Sequence, residues 1–354
     1  MNQNMKKYAG VFLRLLIIFL ALLISFLVYI SVNDYQPPDR VKLDVMGPGE
    51  DVVADSPEFT FLIWNIGYAG LGKEMDFFYD GGVEVRPEQN QFKNYWNGIC
   101  STLASFDTID FVLLQEVDIR SKRSYFTDQK DSISSIFNEH YESFAVNYDV
   151  KVVPVPLLDP LGKVKAGIMS LSKYKPVLAE RIAYPNIASW PKKLFLLDRC
   201  FIAMKIPLGE NDLLVLNTHN SFYVKEPELR QKELDIIREY MLNEFRKGNY
   251  VVAGGDWNQN PPELPDLNFE SEDHFQRIMN IDDEFLPEDW KYACEKRYPS
   301  NRNLDEKYIK GKTPTTIIDY FILSPNVKDF QVRTIPMEFK YSDHQPVLLT
   351  IEIK

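Results

Sequence analysis

From Phe59 to the C-terminus the chain is a succession of short apolar runs: FTFLIWN, DFVLLQ, AGIMSLS, FIAMKI, DLLVLNTH, YVVAGGD, TIIDYFIL and PVLLTIEI. Runs this short, bounded by Gly, Pro, Asn and Asp, read as strands buried on at least one face. Helical spacings fall between them. Phe92, Trp96, Ile99 and Leu103 share one face of a helix; Leu234, Ile237, Met241 and Phe245 share one face of another, opened by Pro227 and closed by Gly248. No repeat and no second linker interrupts the pattern, so residues 58–354 read as one layered α/β domain. The polar stretches 149–165 and 259–312 read as loops over the sheet ends, where active sites are commonly built.

The N-terminus is of another kind. Leu15–Val32 reads LLIIFLALLISFLVYISV, without a charge. As a helix rising ~1.5 Å per residue it is about 27 Å long, close to the ~30 Å hydrocarbon thickness of a bilayer. A core helix seldom stays apolar all round for such a length. A cleaved signal peptide fits less well, because no small-x-small site follows in SVNDYQPPD, and no cysteine stands there for a lipid anchor. Lys6, Lys7 and Arg14 precede the span; Asp34, Asp39 and Arg40 follow it. The positive-inside rule then predicts a cytoplasmic N-terminus over 1–10, a transmembrane signal anchor over 11–32, a stalk over 33–57 with at most the short strand VKLDV, and a domain on the extracytoplasmic side.

The net charge is -11; residues 1–40 hold four Lys/Arg and two Asp/Glu, so the rest stands at -13. That balance excludes a protein that coats nucleic acid through charge alone, but not an enzyme for which nucleic acid is a substrate, since a bound cation can make a site locally positive. Cys100, Cys200 and Cys294 are too few and too scattered for a disulfide framework.

Polar groups stand at the ends of the apolar runs. Asn65 ends FLIWN, Glu116 ends VLLQE, His219 ends VLNTH, and Asp256 with Asn258 ends VVAGGDWN; Asp319 lies in TIIDYFIL, and Ser342, Asp343 and His344 precede PVLLTIEI. Any one of these alone is an ordinary turn-former. Together, at strand ends that converge on one sheet edge, they make an oxygen-rich set suited to a hard cation, Mg2+ or Mn2+. No His-x-x-x-His or Cys-x-x-Cys spacing supports zinc, and no G-x-S-x-G turn supports a nucleophilic serine.

The ordered set WN, QE, NTH, GGDWN, IDYFILS and SDHQPV resembles the endonuclease/exonuclease/phosphatase superfamily, Mg2+-dependent phosphoester hydrolases that include deoxyribonuclease I-like nucleases, neutral sphingomyelinases and inositol-polyphosphate 5-phosphatases. The resemblance implies a four-layer α/β sandwich, two packed and mainly antiparallel sheets flanked by helices. It implies Glu116 as the main metal carboxylate with Asn65 and Asp343 in the same shell. Asp256 and Asn258 would orient or deprotonate the attacking water or contact the leaving oxygen. His344, paired with Asp319, would bind the scissile phosphate; His219 would add a hydrogen bond or a proton on the leaving side; Arg199 would touch substrate. The division of acid and base roles among Asp256, His219 and His344 stays open.

Two features fall outside that pattern. The charges Arg120, Lys122 and Arg123 read either as a grip for a second phosphate or as a solvated run. EMDFFYDGG over 74–82 reads as a lid, a headgroup pocket or a packed turn. His140 and His274 carry no motif. The expected protein is a membrane-tethered hydrolase, foremost a phosphodiesterase, acting on a lipid headgroup, a nucleic acid or a small phosphoester. The alternative is a catalytically inactive phosphate- or lipid-binding domain on the same fold.

Overall fold

In the computed structural model, residues 3–48, 54, 56–186, 188–222, 227–262, 264 and 279–353 are described; His274 and much of the 259–312 stretch lie outside them. The apolar N-terminal run forms α1 (Gln3–Val32), of which Lys7–Val32 is long and apolar enough to cross a membrane. There follow β1 (Arg40–Lys42), β2 (Glu58–Asn65), α2 (Gln89–Ala104), β3 (Phe111–Asp118), α3 (Gln129–Ile136), β4 (Tyr141–Val153), β5 (Gly162–Ser172) and β6 (Leu178–Ala183). The second half carries β7 (Cys200–Leu208), β8 (Asn211–His219), α4 (Pro227–Arg246), β9 (Tyr250–Asp256), β10 (Lys291–Ala293), β11 (Asn301–Arg302), β12 (Thr315–Thr316), β13 (Asp319–Leu323), β14 (Val327–Thr334) and β15 (Val347–Ile353).

Two large sheets result, one ordered β1-β6-β7-β8-β9-β13-β10 and the other β14-β15-β2-β3-β5-β4. Their pairings are antiparallel except β2–β3 and β8–β9, which are parallel and bridged by α2 and α4. Alternate residues of one strand serve two different cores. Phe61 and Ile63 point between the sheets to meet Ile202, Val215 and Phe321, while Leu62 and Trp64 point outward to Phe92, Ile99 and Leu103 of α2. On the far sheet Leu214 and Leu216 meet Leu234, Ile237 and Met241 of α4. Being covered on both faces is why these strands read as unbroken apolar runs. The layers are helix, sheet, sheet, helix, the expected sandwich.

The segment expected as a stalk with at most one short strand carries β1, and through it touches the domain. Arg40–Lys42 pairs with Glu180–Ile182, Leu43 N–H donates to Ala179 O at 2.8 Å, and Met46 exchanges backbone hydrogen bonds with Glu142. Leu43 and Val45 pack on the inter-sheet core, so a mostly polar segment is held by two apolar side chains and by closing the open edge of β6. The 149–165 stretch is mostly strand: β4 continues to Val153 and β5 starts at Gly162, with Val150, Val153 and Val164 buried, leaving 154–161 as the connection.

Candidate active site

The site forms where the ends of both sheets meet. Register on the seven-stranded sheet sets His219, Asp256 and Asp319 side by side, since Asp256 is the cross-strand partner of His219 on β8 and of Asp319 on β13. Gly255, just before Asp256, has φ +145°, and a Cβ there would stand 2.1 Å from Thr218 O; only glycine lets β9 approach β8 this closely. On the other sheet Asn65 ends β2. Glu116 sits in a bulge of β3, where pairing with β5 slips from Leu114–Met169 to Val117–Gly167 and Glu116 takes φ +56°. The extra residue turns the Glu116 carboxylate into the cleft, with its side chain 23% exposed.

The SDH turn completes the set. Ser342 Oγ donates to Asn65 O at 2.8 Å, His344 N–H donates to Ser342 Oγ at 3.2 Å, and Trp64 Nε1 donates to His344 O at 3.0 Å. The two sheets are also tied beneath the site by buried amides. Gln115 Nε2 donates to Asn217 Oδ1 at 2.7 Å, and Asn217 Nδ2 donates to Met169 O at 2.9 Å.

Asn65, Glu116, Arg199, His219, Asp256, Asn258, Asp343 and His344 therefore line one cleft of about 290 Å³, and Asp319 stands directly behind His344. Asn65 Nδ2 donates to Asp256 Oδ2 at 3.0 Å and reaches Glu116 Oε1 at 3.5 Å, while its own oxygen accepts from Gly67 N–H at 3.0 Å. Asp256 Oδ1 accepts from the backbone N–H of Asn258 at 2.9 Å, and Asn258 Nδ2 donates to Asn220 O at 2.8 Å.

Electrostatics divide the ionisable groups. Burial opposes a charge on His344, but Asp319 at 2.8 Å from Nδ1, together with Asp256 and Asp343 at 3.7 and 3.8 Å from Nε2, outweighs it and holds the imidazole well above its usual pKa. His219 goes the other way: burial, then Arg199, His344 and Arg123, push it well below, so it is neutral with Nε2 facing Asp256 at 3.4 Å. Burial raises Asp256 to about 6, against the pull of His344. It raises Asp343 to about 6 as well, where His344 opposes the rise and the charge of Glu116 adds to it.

Among the described residues one trio, Asp256, Asp319 and His344, brings ligand-type atoms within 4.8 Å of one another. Within it His344 Nδ1 is already paired with Asp319 Oδ2 at 2.8 Å. Glu116 and Asp343 line the same cleft as carboxylates whose charges oppose each other, oxygen donors of the kind a divalent cation takes, and Asn65 turns Nδ2 toward Glu116.

Three participants, Asn301, Tyr68 and Arg302, carry no sequence signal; Arg199 stands where it was expected. The Asn301 carboxamide lies 3.0 Å from His344 Nε2, brought there by the small β11–β12 ribbon. Tyr68 and Arg199 line the cleft, with Tyr68 Oη and Arg199 Nη1 buried and without a hydrogen-bond partner among the described residues. Arg302 is buried, and its guanidinium donates to Leu71 O, Gly72 O and Met75 O, fixing the start of 74–82 over the cleft, where Phe77, Tyr79 and Asp80 line its mouth. Of the basic cluster, Arg123 is buried in a bidentate pair with Asp118, Arg120 pairs with Asp128 and Lys122 donates to Pro160 O, so each charge is already engaged within the protein. His140 is buried with Nε2 2.7 Å from Ile109 O, away from the site.

No family model and no curated protein matches the chain. Solved structures match it throughout the domain. The D. rerio TDP2 complexed with single strand DNA product is 15% identical with a TM-score of 0.53, covering 84% of this chain and 100% of that one. The human Nocturnin catalytic domain with bound sulfate anion is 17% identical with a TM-score of 0.51, covering 88% and 98%. An endonuclease/exonuclease/phosphatase family protein from Leptotrichia buccalis C-1013-b is 14% identical with a TM-score of 0.53, covering 83% and 100%. The chain thus has the fold of the endonuclease/exonuclease/phosphatase structures.

Proposed function

We propose that this protein is a membrane-tethered, divalent-metal-dependent hydrolase of phosphoester bonds, a phosphodiesterase foremost, with Mg2+ or Mn2+ as its cofactor. One observation supports the reading: carboxylates in excess gather with a buried histidine in a single cleft, the kind of donor set that in-line hydrolysis of a phosphoester uses. The sulfate bound to Nocturnin and the DNA product bound to TDP2, proteins of the same fold, support it.

Glu116 and Asp343 would hold the cation, with Asn65 in the same shell. Bound there, it supplies neutralisation of the charge on the non-bridging oxygens. Asp256, its Oδ2 fixed by Asn65 and faced by His219, accepts the proton of the attacking water. His344 presents Nε2–H to a phosphate oxygen while Asp319 holds Nδ1. His219, being neutral, gives a hydrogen bond to the leaving side in preference to a proton. Arg199 and Tyr68 offer donors to the remaining oxygens. Lys6, Lys7 and Arg14 before the span support a single-pass, N-in anchor with residues 58–354 as the catalytic domain on the extracytoplasmic side.

The test is the full chain in detergent, with Mg2+ or EDTA, against a chromogenic phosphodiester, DNA, inositol phosphates and sphingomyelin. Metal-dependent turnover of at least one is expected. Turnover insensitive to EDTA contradicts the metal mechanism, and none on any substrate favours an inactive binding domain.

A further inference from the structure

We propose that the tips of two loops flanking the cleft, 154–161 and 188–195, sit in the headgroup region of the bilayer that holds α1, so that the cleft opens onto the membrane and takes its phosphoester from a lipid. This rests on reading α1 as a membrane span and the cleft as a phosphoesterase site.

The end of α1 is seated on the domain. Ile30 is 4% exposed, the helix touches β4, and the exposed indole of Trp190 donates from Nε1 to Ser31 Oγ at 3.1 Å. Residues 33–39 then lead into β1, whose pairing with β6 keeps this connection at the cleft end of the sheet. Trp190 therefore stands at the level where the span ends, and its loop also exposes Lys192 and Lys193.

The second loop grows from the end of β4, the strand that α1 touches. Leu161 N–H donates to Val155 O at 3.0 Å, which closes the loop and leaves Leu157 and Leu158 at its tip, 87% and 102% exposed. Two adjacent leucines displayed outright, an indole at the end of an apolar helix and a lysine pair are the make-up of a segment at a lipid–water interface. The acid on that tip, Asp159, is neutralised by Arg86 and by Lys122 at 3.8 Å. The bases of the same loops form part of the cleft lining: Leu161 and Leu197 line it, and Tyr148 Oη ties the 188–195 loop to β4 by donating to Phe195 O at 3.0 Å. A domain at -13 is repelled by anionic headgroups, so the apolar tips favour a zwitterionic surface.

The experiment uses the full chain in phosphatidylcholine vesicles, with Cys100→Ser and Cys294→Ser and the buried Cys200 left in place. A polarity-sensitive fluorophore is attached to Leu158→Cys, or to Glu210→Cys at the opposite end of β7 from the cleft. A blue-shifted spectrum quenched by doxyl lipids at 158 but not at 210 is expected; identical, water-like spectra at both positions overturn the proposal. In parallel, Leu157→Glu with Leu158→Glu is expected to lower turnover of sphingomyelin or phosphatidylcholine in vesicles by about tenfold or more, with turnover of a soluble diester unchanged. Unchanged lipid turnover in that variant, or a wild type that cleaves the soluble diester and no vesicle lipid, overturns it. A wild type inactive on the soluble diester defeats the phosphoesterase reading instead, while the fluorophore still reports the surface.

Discussion

Arg123 and Asp118 offer a sharp test of how the cleft wall is held. Asp118 is fully buried on β3, and Arg123 meets it through Nη2–Oδ1 at 2.9 Å and Nε–Oδ2 at 3.1 Å, while the guanidinium lies 3.6 Å from the centre of the Tyr68 ring. Burial raises the Asp118 carboxyl, and the pull of Arg123 opposes the rise. Asp118→Asn keeps the shape but strands the guanidinium, and breaking one side of a buried pair costs about 3–5 kcal/mol. With an unfolding entropy near 2.1 cal/mol/K per residue, a domain of roughly 300 residues loses about 5–8 °C in Tm. Asp118→Asn with Arg123→Met removes the stranded charge and should recover more than half of that loss. Scanning calorimetry of the full chain in detergent measures both. A single-variant shift below about 2 °C, or a double variant no more stable than the single one, refutes the reasoning.

Other consequences can be measured alongside. Gly255→Ala puts a Cβ 2.1 Å from Thr218 O at φ +145°, so a loss of about 3 kcal/mol or more is expected by denaturant unfolding. Asn301→Ala removes the amide at His344 Nε2 and should lower kcat about 10- to 100-fold with the melting curve little changed, as steady-state kinetics on a soluble diester will show. Glu244 is held below its ordinary pKa: burial opposes the ionised form, but Lys205 at 2.7 Å, Lys247 at 2.6 Å and Asn249 at 2.7 Å outweigh it. Its contribution is complete above the unfolded value and lost as pH falls through the lower folded one. The Tm gap between wild type and Glu244→Gln should therefore be steady near pH 7 and close below about pH 4.5.

Much of the site was legible because its groups terminate apolar strands, and strands of one sheet end on a common edge. His219, Asp256 and Asp319 are neighbours by register, a relation that strand-end position anticipates. The helices over 89–104 and 227–246 followed from their apolar spacing. What stayed hidden depends on tertiary position. Asn301 sits on a two-residue strand with no periodicity to mark it, and Asn217 ties the sheets from inside a run that reads only as strand. The bulge that aims Glu116 is a local slip in pairing and has no glycine to betray it. The composition of 33–57 marks an extended segment with at most one short strand, and it does not reveal that Leu43 and Val45 pack on the inter-sheet core.

In the proposed function, Glu116 and Asp343 hold a cation that activates this cleft for phosphoester hydrolysis. Turnover of a chromogenic diester by the full chain in detergent, titrated with Mg2+ after EDTA treatment and compared with Glu116→Gln, tests it most directly. EDTA should abolish turnover, Mg2+ should restore it, and Glu116→Gln should lose about 100-fold or more with an intact melting curve. Wild-type turnover that survives EDTA, or a Glu116→Gln enzyme as fast as wild type, would contradict it.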